Sequence, residues 1–250
     1  MNTSNGLAGK VAVVAGGSGG IGRETCRVLA EAGARVVVGY RSGKERAEAI
    51  VAALHGDGHV ALPVSIEDSS TIAAFHEAVL ARFGRVDILV NTAGVTKPVP
   101  HADLDALTDD LIDAIFVNNW RGVFSTVRAF APSLKASGDG LIVNVSSIAA
   151  FTGIGSNIAY CGAKAGLDIM TNSLARALAP DIRVMAVSPG VVDTEFVPGR
   201  GQEFKEKAAA ATPLKRLTTP TDVAEAILSC ATHLKFSTGT RIVVDGGRHL

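Results

Sequence analysis

Short apolar runs rich in β-branched residues alternate with longer segments of helical spacing along nearly the whole chain. The strand-like runs are Val11–Ala15, Arg35–Gly39, Val60–Val64, Val86–Asn91, Leu141–Ser146, Arg183–Ser188 and Arg241–Val244. The segments of helical spacing are Ile21–Ala32, Lys44–Leu54, Ser69–Phe83, Leu107–Leu134, Ala159–Ala179 and Thr221–Leu234. Alternation of this kind is typical of parallel sheets joined by right-handed crossovers. We therefore predict an α/β fold with a doubly wound, seven-stranded parallel sheet and helices on both faces.

One segment, Thr194–Thr219, interrupts the alternation. It carries Pro198, Gly199 and Pro213 among several charged residues. A long irregular insertion late in an α/β domain often covers a site, so we predict a lid-like insertion at about 194–219. No linker, repeat or low-complexity tract divides the 250 residues, and we expect a single domain over residues 1–250.

The charge balance argues against several classes of protein. Lys and Arg number 24, as do Asp and Glu, so no excess positive charge favours binding to nucleic acid or to an anionic membrane.

No apolar run is long enough to span a bilayer, and Met1–Lys10 lacks the apolar core of a secretion signal. Cys26, Cys161 and Cys230 form no CxxC pair and the six histidines show no ligand spacing. We expect a cytoplasmic protein without a metal site.

A glycine-rich turn, Ala15-Gly16-Gly17-Ser18-Gly19-Gly20-Ile21-Gly22, follows the first predicted strand. Gly16 lets the chain turn out of the strand, while Gly20 and Gly22 let the backbone approach a phosphate and let the next helix pack on the sheet. The N–H groups at the start of that helix would then face a pyrophosphate. A plain tight turn also needs glycine, but the position between strand and helix favours a dinucleotide site.

The end of the second predicted strand indicates which dinucleotide binds. Dinucleotide sites often place an acidic residue here to bind the ribose hydroxyls. This strand instead ends Val38-Gly39-Tyr40-Arg41-Ser42. A 2′-phosphate requires a cation and hydroxyl donors, which Arg41 and Ser42 supply, although an arginine after a strand can also be merely solvated. We predict NADP(H) in preference to NAD(H).

Tyr160 and Lys164 form a YxxxK pair that opens a predicted helix. Residues four apart share one helix face, so both side chains can point into one cleft. A phenol is a poor base at neutral pH, and a neighbouring ammonium favours its ionised form. Ser147 precedes Tyr160 by 13 residues, at the end of a predicted buried strand where a hydroxyl can bind a substrate oxygen. Tyr160 is therefore a candidate general acid and base.

These motifs resemble those of the short-chain dehydrogenase/reductase family in its compact single-domain form. The resemblance extends over essentially the whole chain and includes Asn91-Thr92-Ala93-Gly94, Asn119-Trp120-Arg121-Gly122, Pro189-Gly190 and Asp245-Gly246-Gly247. It implies a Rossmann-like fold and an oxidoreductase that interconverts a ketone and a secondary alcohol. It also implies a homotetramer with the long predicted helices at one interface.

The resemblance implies a catalytic tetrad of Asn119, Ser147, Tyr160 and Lys164. In that scheme Tyr160 transfers the proton and Ser147 positions the carbonyl. Lys164 holds the nicotinamide ribose and lowers the tyrosine pKa, and Asn119 anchors a water that relays protons. With the glycine turn and Arg41, the predicted cofactor-binding residues are Gly16, Ser18, Gly20, Ile21, Gly22, Arg41, Ser42, Ile66, Asn91, Ala93, Gly94, Tyr160, Lys164, Pro189, Gly190, Val192 and Thr194.

The sequence departs from the family pattern at the predicted adenine site. Ser65 stands where the family usually has an aspartate that binds the adenine amine, and Ile66 is still expected to pack on the ring. Ala15 and Thr92 also replace the usual threonine and asparagine near the glycine turn and after the fourth strand.

The substrate is left open between a small carbonyl or alcohol compound and a 3-oxoacyl group on a carrier protein. Gly138-Asp139 and Pro180-Asp181 stand where carrier reductases place basic residues, but Arg200, Lys205 and Lys207 form another basic cluster in the insertion. The alternative of another class is a non-catalytic NADP-binding sensor or scaffold. The presence of all four tetrad residues favours an enzyme.

Overall fold

The structure is a computed structural model that describes residues 6–199 and 201–250. Its strands are β1 (Val11–Ala15), β2 (Arg35–Tyr40), β3 (Val60–Pro63), β4 (Ile88–Asn91), β5 (Gly140–Val145), β6 (Ile182–Pro189) and β7 (Thr240–Val244). All seven pair in parallel in the order β3-β2-β1-β4-β5-β6-β7, which extends the Rossmann-like order by one strand. The predicted seven-stranded parallel sheet is therefore confirmed, and β1 has the predicted bounds.

The helices are α1 (Gly20–Glu31), α2 (Lys44–Ala53), α3 (Ser69–Phe83), α4 (Asp109–Phe116), α5 (Gly122–Ala136), α6 (Ala149–Thr152), α7 (Ile158–Leu178), α8 (Gln202–Ala210) and α9 (Pro220–Thr232). A π-helical turn, Val117–Arg121, joins α4 to α5 within the long predicted helix. Helix α8 lies in the insertion that the sequence pattern describes as irregular. Within residues 6–199 and 201–250, no helix is both long and apolar enough to cross a lipid bilayer.

Helices cover both faces of the sheet because side chains alternate along each buried strand. Ala12 and Val14 of β1 point into an apolar layer that Leu29 of α1 and Ile227 of α9 share. The intervening Val13 points into the opposite layer, which contains residues of α3, α5 and α7, including Phe75, Phe130 and Ala175. Every residue of β1 and β5 is buried, which explains why both sequences are apolar except for Asn144.

The strand order reverses at β1, which has β2 on one side and β4 on the other. The crossovers on the two sides then lead away from each other, so a crevice opens beyond the carboxyl ends of β1 and β4. The amino ends of the same strands are joined by Asp87. Its buried carboxylate accepts hydrogen bonds from Val11 N at 2.9 Å, Lys10 Nζ at 3.0 Å and Arg85 Nη2 at 2.6 Å.

Candidate functional site

A cleft of about 390 Å³ lies at the carboxyl ends of β1 and β4. The residues of the glycine turn, the end of β2 and the segment after β4 form its walls. The lining residues are Gly16, Ser18, Gly19, Gly20, Ile21, Gly22, Arg41, Ser42, Arg46, Val64, Ile66, Thr92, Ala93, Gly94, Val95, Asn118, Thr194, Glu195 and Phe196. The structure therefore brings the predicted residues of the glycine turn together with Arg41, Ser42, Ile66, Ala93 and Gly94.

The glycines of the turn are required by close packing. A Cβ atom on Gly16, whose φ is +86°, would lie 2.6 Å from Ala93 N. One on Gly20 would lie 2.7 Å from Thr194 Cγ2, and one on Gly22 would lie 2.2 Å from Gly16 O. Helix α1 begins at Gly20 and, in the described part of the chain, no side chain caps it. Its first N–H groups are thus not bound by a capping side chain, which suits the diphosphate of a dinucleotide.

Two guanidinium groups lie at the other end of the cleft. Arg41 follows β2 as predicted, and its side chain is more than half exposed and 3.7 Å from Glu67 Oε1. Arg46 lies in the first turn of α2 and lines the cleft, although no motif in the sequence indicated it. Gly43, with a φ of +73°, turns the chain between them, so Arg46 folds back towards the turn. With Ser42, they offer the cations and hydroxyl that a phosphate monoester binds.

A second cavity of about 700 Å³ adjoins this cleft. It is lined by Ser147, Tyr160 and Lys164 and by the predicted nicotinamide neighbours Pro189, Gly190, Val192 and Thr194. The two spaces share five lining residues, which are Ile21, Thr92, Gly94, Thr194 and Phe196. A ligand that lies along the cleft can therefore reach the cavity that holds the tyrosine and the lysine.

The start of α7 positions Tyr160. The side chain of Asn157 caps the helix by accepting a hydrogen bond from Tyr160 N at 2.7 Å. Asn157 Nδ2 also donates to Lys97 O at 2.8 Å, which fixes the helix start to the segment after β4. Lys164 lies one turn further along α7, and its Nζ is 5.7 Å from the centre of the Tyr160 ring. The predicted pairing of the two side chains on one helix face is thus present.

Lys164 is buried, and its Nζ donates to Val145 O at the end of β5 at 2.7 Å. Burial lowers the pKa of Lys164 from 10.5 to about 8, and the nearby Asp168 opposes that shift. The side chain therefore still carries a proton at neutral pH. The site consequently holds a desolvated positive charge beside Tyr160.

Ser147 lies two residues beyond β5 and lines the same cavity. Its Oγ accepts a hydrogen bond from Ala149 N at 3.1 Å, which fixes the side chain at the start of α6. The hydroxyl proton is left to donate to another oxygen, as a residue that positions a carbonyl must do.

Asn119 is placed differently from the other tetrad residues. It lies fully buried in the π-helical turn, where Nδ2 donates to Val95 O at 2.8 Å and to Ile115 O at 2.9 Å. It lines neither cavity among the described residues, whereas Asn118 lines the cleft. The turn aims Asn119 at the segment after β4, and the role of water anchor stays a prediction.

Asn91, a predicted cofactor-binding residue, lies behind the cleft wall. It is the register partner of Asn144 in the sheet, and its Nδ2 donates to Asn144 Oδ1 at 2.9 Å. Thr126 of α5 donates to Asn91 Oδ1 at 2.8 Å, and Asn144 donates to Thr171 of α7 at 3.0 Å. The structure thus assigns Asn91 to a buried polar network with Asn144 and not to the lining of the cleft.

The insertion covers part of the second cavity. Val197, Phe204 and Ala211 line it, and Lys205 of α8 lies 2.6 Å from Asp193. Of the basic cluster in this segment, Arg200 lies outside the described residues, Lys205 is paired with Asp193, and Lys207 is 2.7 Å from Glu203. The role of a lid stays a prediction.

Comparisons with known proteins give one consistent family. A family model described as enoyl-(acyl carrier protein) reductase matches residues 15–249. The chain is 39% identical to cis-4-hydroxycyclohexanecarboxylate dehydrogenase of Sinomonas cyclohexanicum over 96% of this chain and 97% of that protein. It is 34% identical to the 3-oxoacyl-[acyl-carrier-protein] reductase FabG of Staphylococcus aureus strain Mu50, over 96% and 98% of the two chains.

A solved structure supports the same conclusion. The short-chain dehydrogenase/reductase of Brucella melitensis, also named glucose/ribitol dehydrogenase, has a TM-score of 0.91. It is 29% identical in sequence, and the match covers 100% of both chains.

The buried ammonium of Lys164 has a consequence for stability. Between pH 8 and 10.5 the unfolded chain keeps the Lys164 proton that the folded protein releases, so this residue makes the fold more stable as pH rises through that window. We expect the free energy of unfolding of the wild type, relative to that of Lys164→Met, to increase by about 3 kcal/mol across it. Urea titrations on both sides of the window measure this difference, and an unchanged difference would contradict it.

Proposed function

The chain belongs to the short-chain dehydrogenase/reductase family, and on that premise we propose that it is an NADP(H)-dependent oxidoreductase that interconverts a ketone and a secondary alcohol. The observation that carries the proposal is the cavity that Ser147, Tyr160 and Lys164 share, which is continuous with the cleft of the glycine turn. The nicotinamide cofactor, when bound, supplies or accepts the hydride.

The residues of the cleft fit such a cofactor. The uncapped start of α1 and the glycines at positions 16, 20 and 22 would hold the diphosphate, and Arg41, Ser42 and Arg46 would hold the 2′-phosphate. Ile66 would pack on the adenine, while Pro189, Gly190, Val192 and Thr194 would surround the nicotinamide.

Tyr160 is the proposed proton donor in ketone reduction and the proton acceptor in alcohol oxidation. A phenol that works near neutral pH needs its pKa lowered by roughly three units, which corresponds to about 4 kcal/mol. Lys164, whose Nζ lies 5.7 Å from the centre of the Tyr160 ring, is the positive charge that favours the phenolate form. Ser147 orients the substrate oxygen.

The relatives suggest two kinds of substrate. One relative is named as a dehydrogenase of cis-4-hydroxycyclohexanecarboxylate, which is a free hydroxy acid. Another is named as a reductase of a 3-oxoacyl group on a carrier protein. We propose a small-molecule substrate, because Lys205 and Lys207 are already paired with Asp193 and Glu203 and offer little to an acidic carrier. Turnover of a carrier-bound 3-oxoacyl substrate but not of free ketones would favour the second kind, and cofactor binding without turnover of either would favour a sensor.

The Tyr160 hydroxyl is tested by Tyr160→Phe, which removes the proton donor and keeps the ring. We expect NADPH oxidation in the presence of a cognate ketone to fall by about 100-fold or more, because general acid catalysis contributes at least that much. NADPH affinity, measured by fluorescence titration, should stay near that of the wild type. A turnover rate close to the wild-type rate would rule out Tyr160 as the proton donor.

The cofactor preference is tested by Arg41→Ala. A charge-assisted hydrogen bond to the 2′-phosphate is lost, so we expect KM for NADPH to rise by about 10- to 100-fold. KM for NADH, which lacks that phosphate, should change little. Arg82→Ala serves as the control, because Arg82 lies in the last turn of α3 and does not line the cleft. Equal effects of Arg41→Ala on both cofactors would overturn the assignment.

We also propose that the protein is a cytoplasmic homotetramer. Phe116, Trp120 and Phe124 are exposed along α4, the π-helical turn and α5, and Ile169 is exposed on α7. Trp120 also packs beside α7, where a Cβ on Gly166 would lie 3.0 Å from its ring. A second copy of the chain, with the same apolar face, would bury these side chains.

Light scattering should give a molar mass in solution of four times the 25.7 kDa chain mass. Trp120→Glu should lower that molar mass.

A further inference from the structure

The charges on the wall of the 700 Å³ cavity have one sign. Lys164 and Arg248 line it, and no Asp or Glu does so among the described residues. The rest of the wall combines apolar side chains, including Phe151 and Phe204, with serine and threonine hydroxyls. A partly apolar cavity with unbalanced positive charge favours a ligand that carries a negative charge.

Arg248 is held in place by one of its three nitrogens. Nη1 donates to Ala208 O, at the end of α8, at 2.8 Å, and lies 3.5 Å from Thr212 Oγ1. Across residues 6–199 and 201–250, no carboxylate lies within 4.0 Å of this guanidinium, and neither Nε nor Nη2 has a hydrogen-bond partner. Arg241, by contrast, is paired with Asp168 at 2.9 Å. Arg248 thus offers a fixed, unpaired edge of a guanidinium.

The neighbouring residues fix the chain on which Arg248 stands. Asp245 accepts hydrogen bonds from His249 N at 2.8 Å and from Gly247 N at 2.9 Å, and its Oδ2 is 2.7 Å from His249 Nδ1. The ring of His249 packs edge-on against Phe151 at 5.6 Å. Both carboxylate oxygens of Asp245 are therefore bound by Gly247 and His249, and neither pairs with Arg248. These hydrogen bonds fix the conformation of the segment 245–249.

We propose that Arg248 binds a carboxylate group of the substrate, so that this enzyme acts on oxo acids and hydroxy acids. This inference rests on the proposed function, because it places the reacting carbon at Tyr160 and the carboxylate at Arg248. A planar carboxylate matches the two free nitrogens of the guanidinium in a bidentate pair. The apolar wall between them accepts the hydrocarbon part of the molecule. If Arg248 were only a support for the end of α8, it would not distinguish charged from neutral substrates.

The test compares 4-oxocyclohexanecarboxylate with its neutral amide, 4-oxocyclohexanecarboxamide, which has nearly the same shape. We expect the wild type to have the higher kcat/KM for the acid, and Arg248→Met to lower the acid-to-amide ratio by about 10- to 100-fold. Arg248→Lys, which keeps the charge but not the planar pair of donors, should lower the ratio less. Lys207→Met is the matched control, because Lys207 lies on α8 but does not line the cavity, and it should keep the wild-type ratio. Equal losses for acid and amide in Arg248→Met would overturn the inference.

A binding measurement separates failure of this inference from failure of the proposed function. If no ketone is reduced with either cofactor, the proposed function is wrong. Calorimetry with cyclohexanecarboxylate and cyclohexanecarboxamide, on protein saturated with NADPH or NADH, still tests Arg248. The wild type should bind the acid at least about 10-fold more tightly, and Arg248→Met should lose that preference. Equal affinity of the wild type for the two compounds would overturn the carboxylate site.

Discussion

The hydrogen bond from Lys164 Nζ to Val145 O is the interaction on which the site depends. It joins α7 to the end of β5 and so fixes Tyr160, which lies in α7, relative to Ser147, which follows β5. A buried ammonium destabilises the fold unless its donors are bound, and here a backbone carbonyl accepts one of them. The desolvation that lowers the pKa of Lys164 also strengthens its field at the tyrosine. Burial of Lys164 thus lowers the stability of the fold at neutral pH and places a desolvated positive charge beside Tyr160.

Much of the fold could be predicted because buried parallel strands and their helices leave strong local patterns. The fully buried β1 has the predicted bounds, and α3 does too, since Asp68 caps its start and Gly84 ends it. Helix α8 was missed because its sequence, QEFKEKAAA, lacks a periodic apolar face. The π-helical turn was also missed, because nothing in local spacing distinguishes it from a regular helix.

The candidate site could be predicted where a residue acts through its immediate neighbours along the chain. The glycine turn and the pair Tyr160 and Lys164 are of that kind. Arg46 and Arg248 reach the cleft and the cavity only through the turn at Gly43 and the packing of segment 245–249, and no spacing in the sequence records those contacts. Asn91 shows the converse, since the family resemblance implied a cleft residue and the side chain is instead hydrogen-bonded to its cross-strand partner Asn144.

Thr194 and Phe196 line both the cleft and the cavity. If one ligand fixes this shared wall when it binds, the second ligand meets a wall that is already fixed. The free-energy cost of binding the second ligand is then lower. Thermodynamic linkage then makes the coupling reciprocal: the factor by which the dinucleotide strengthens substrate binding equals the factor by which the substrate strengthens dinucleotide binding. The segment that follows β6 thus contributes a wall that ligands of both compartments contact.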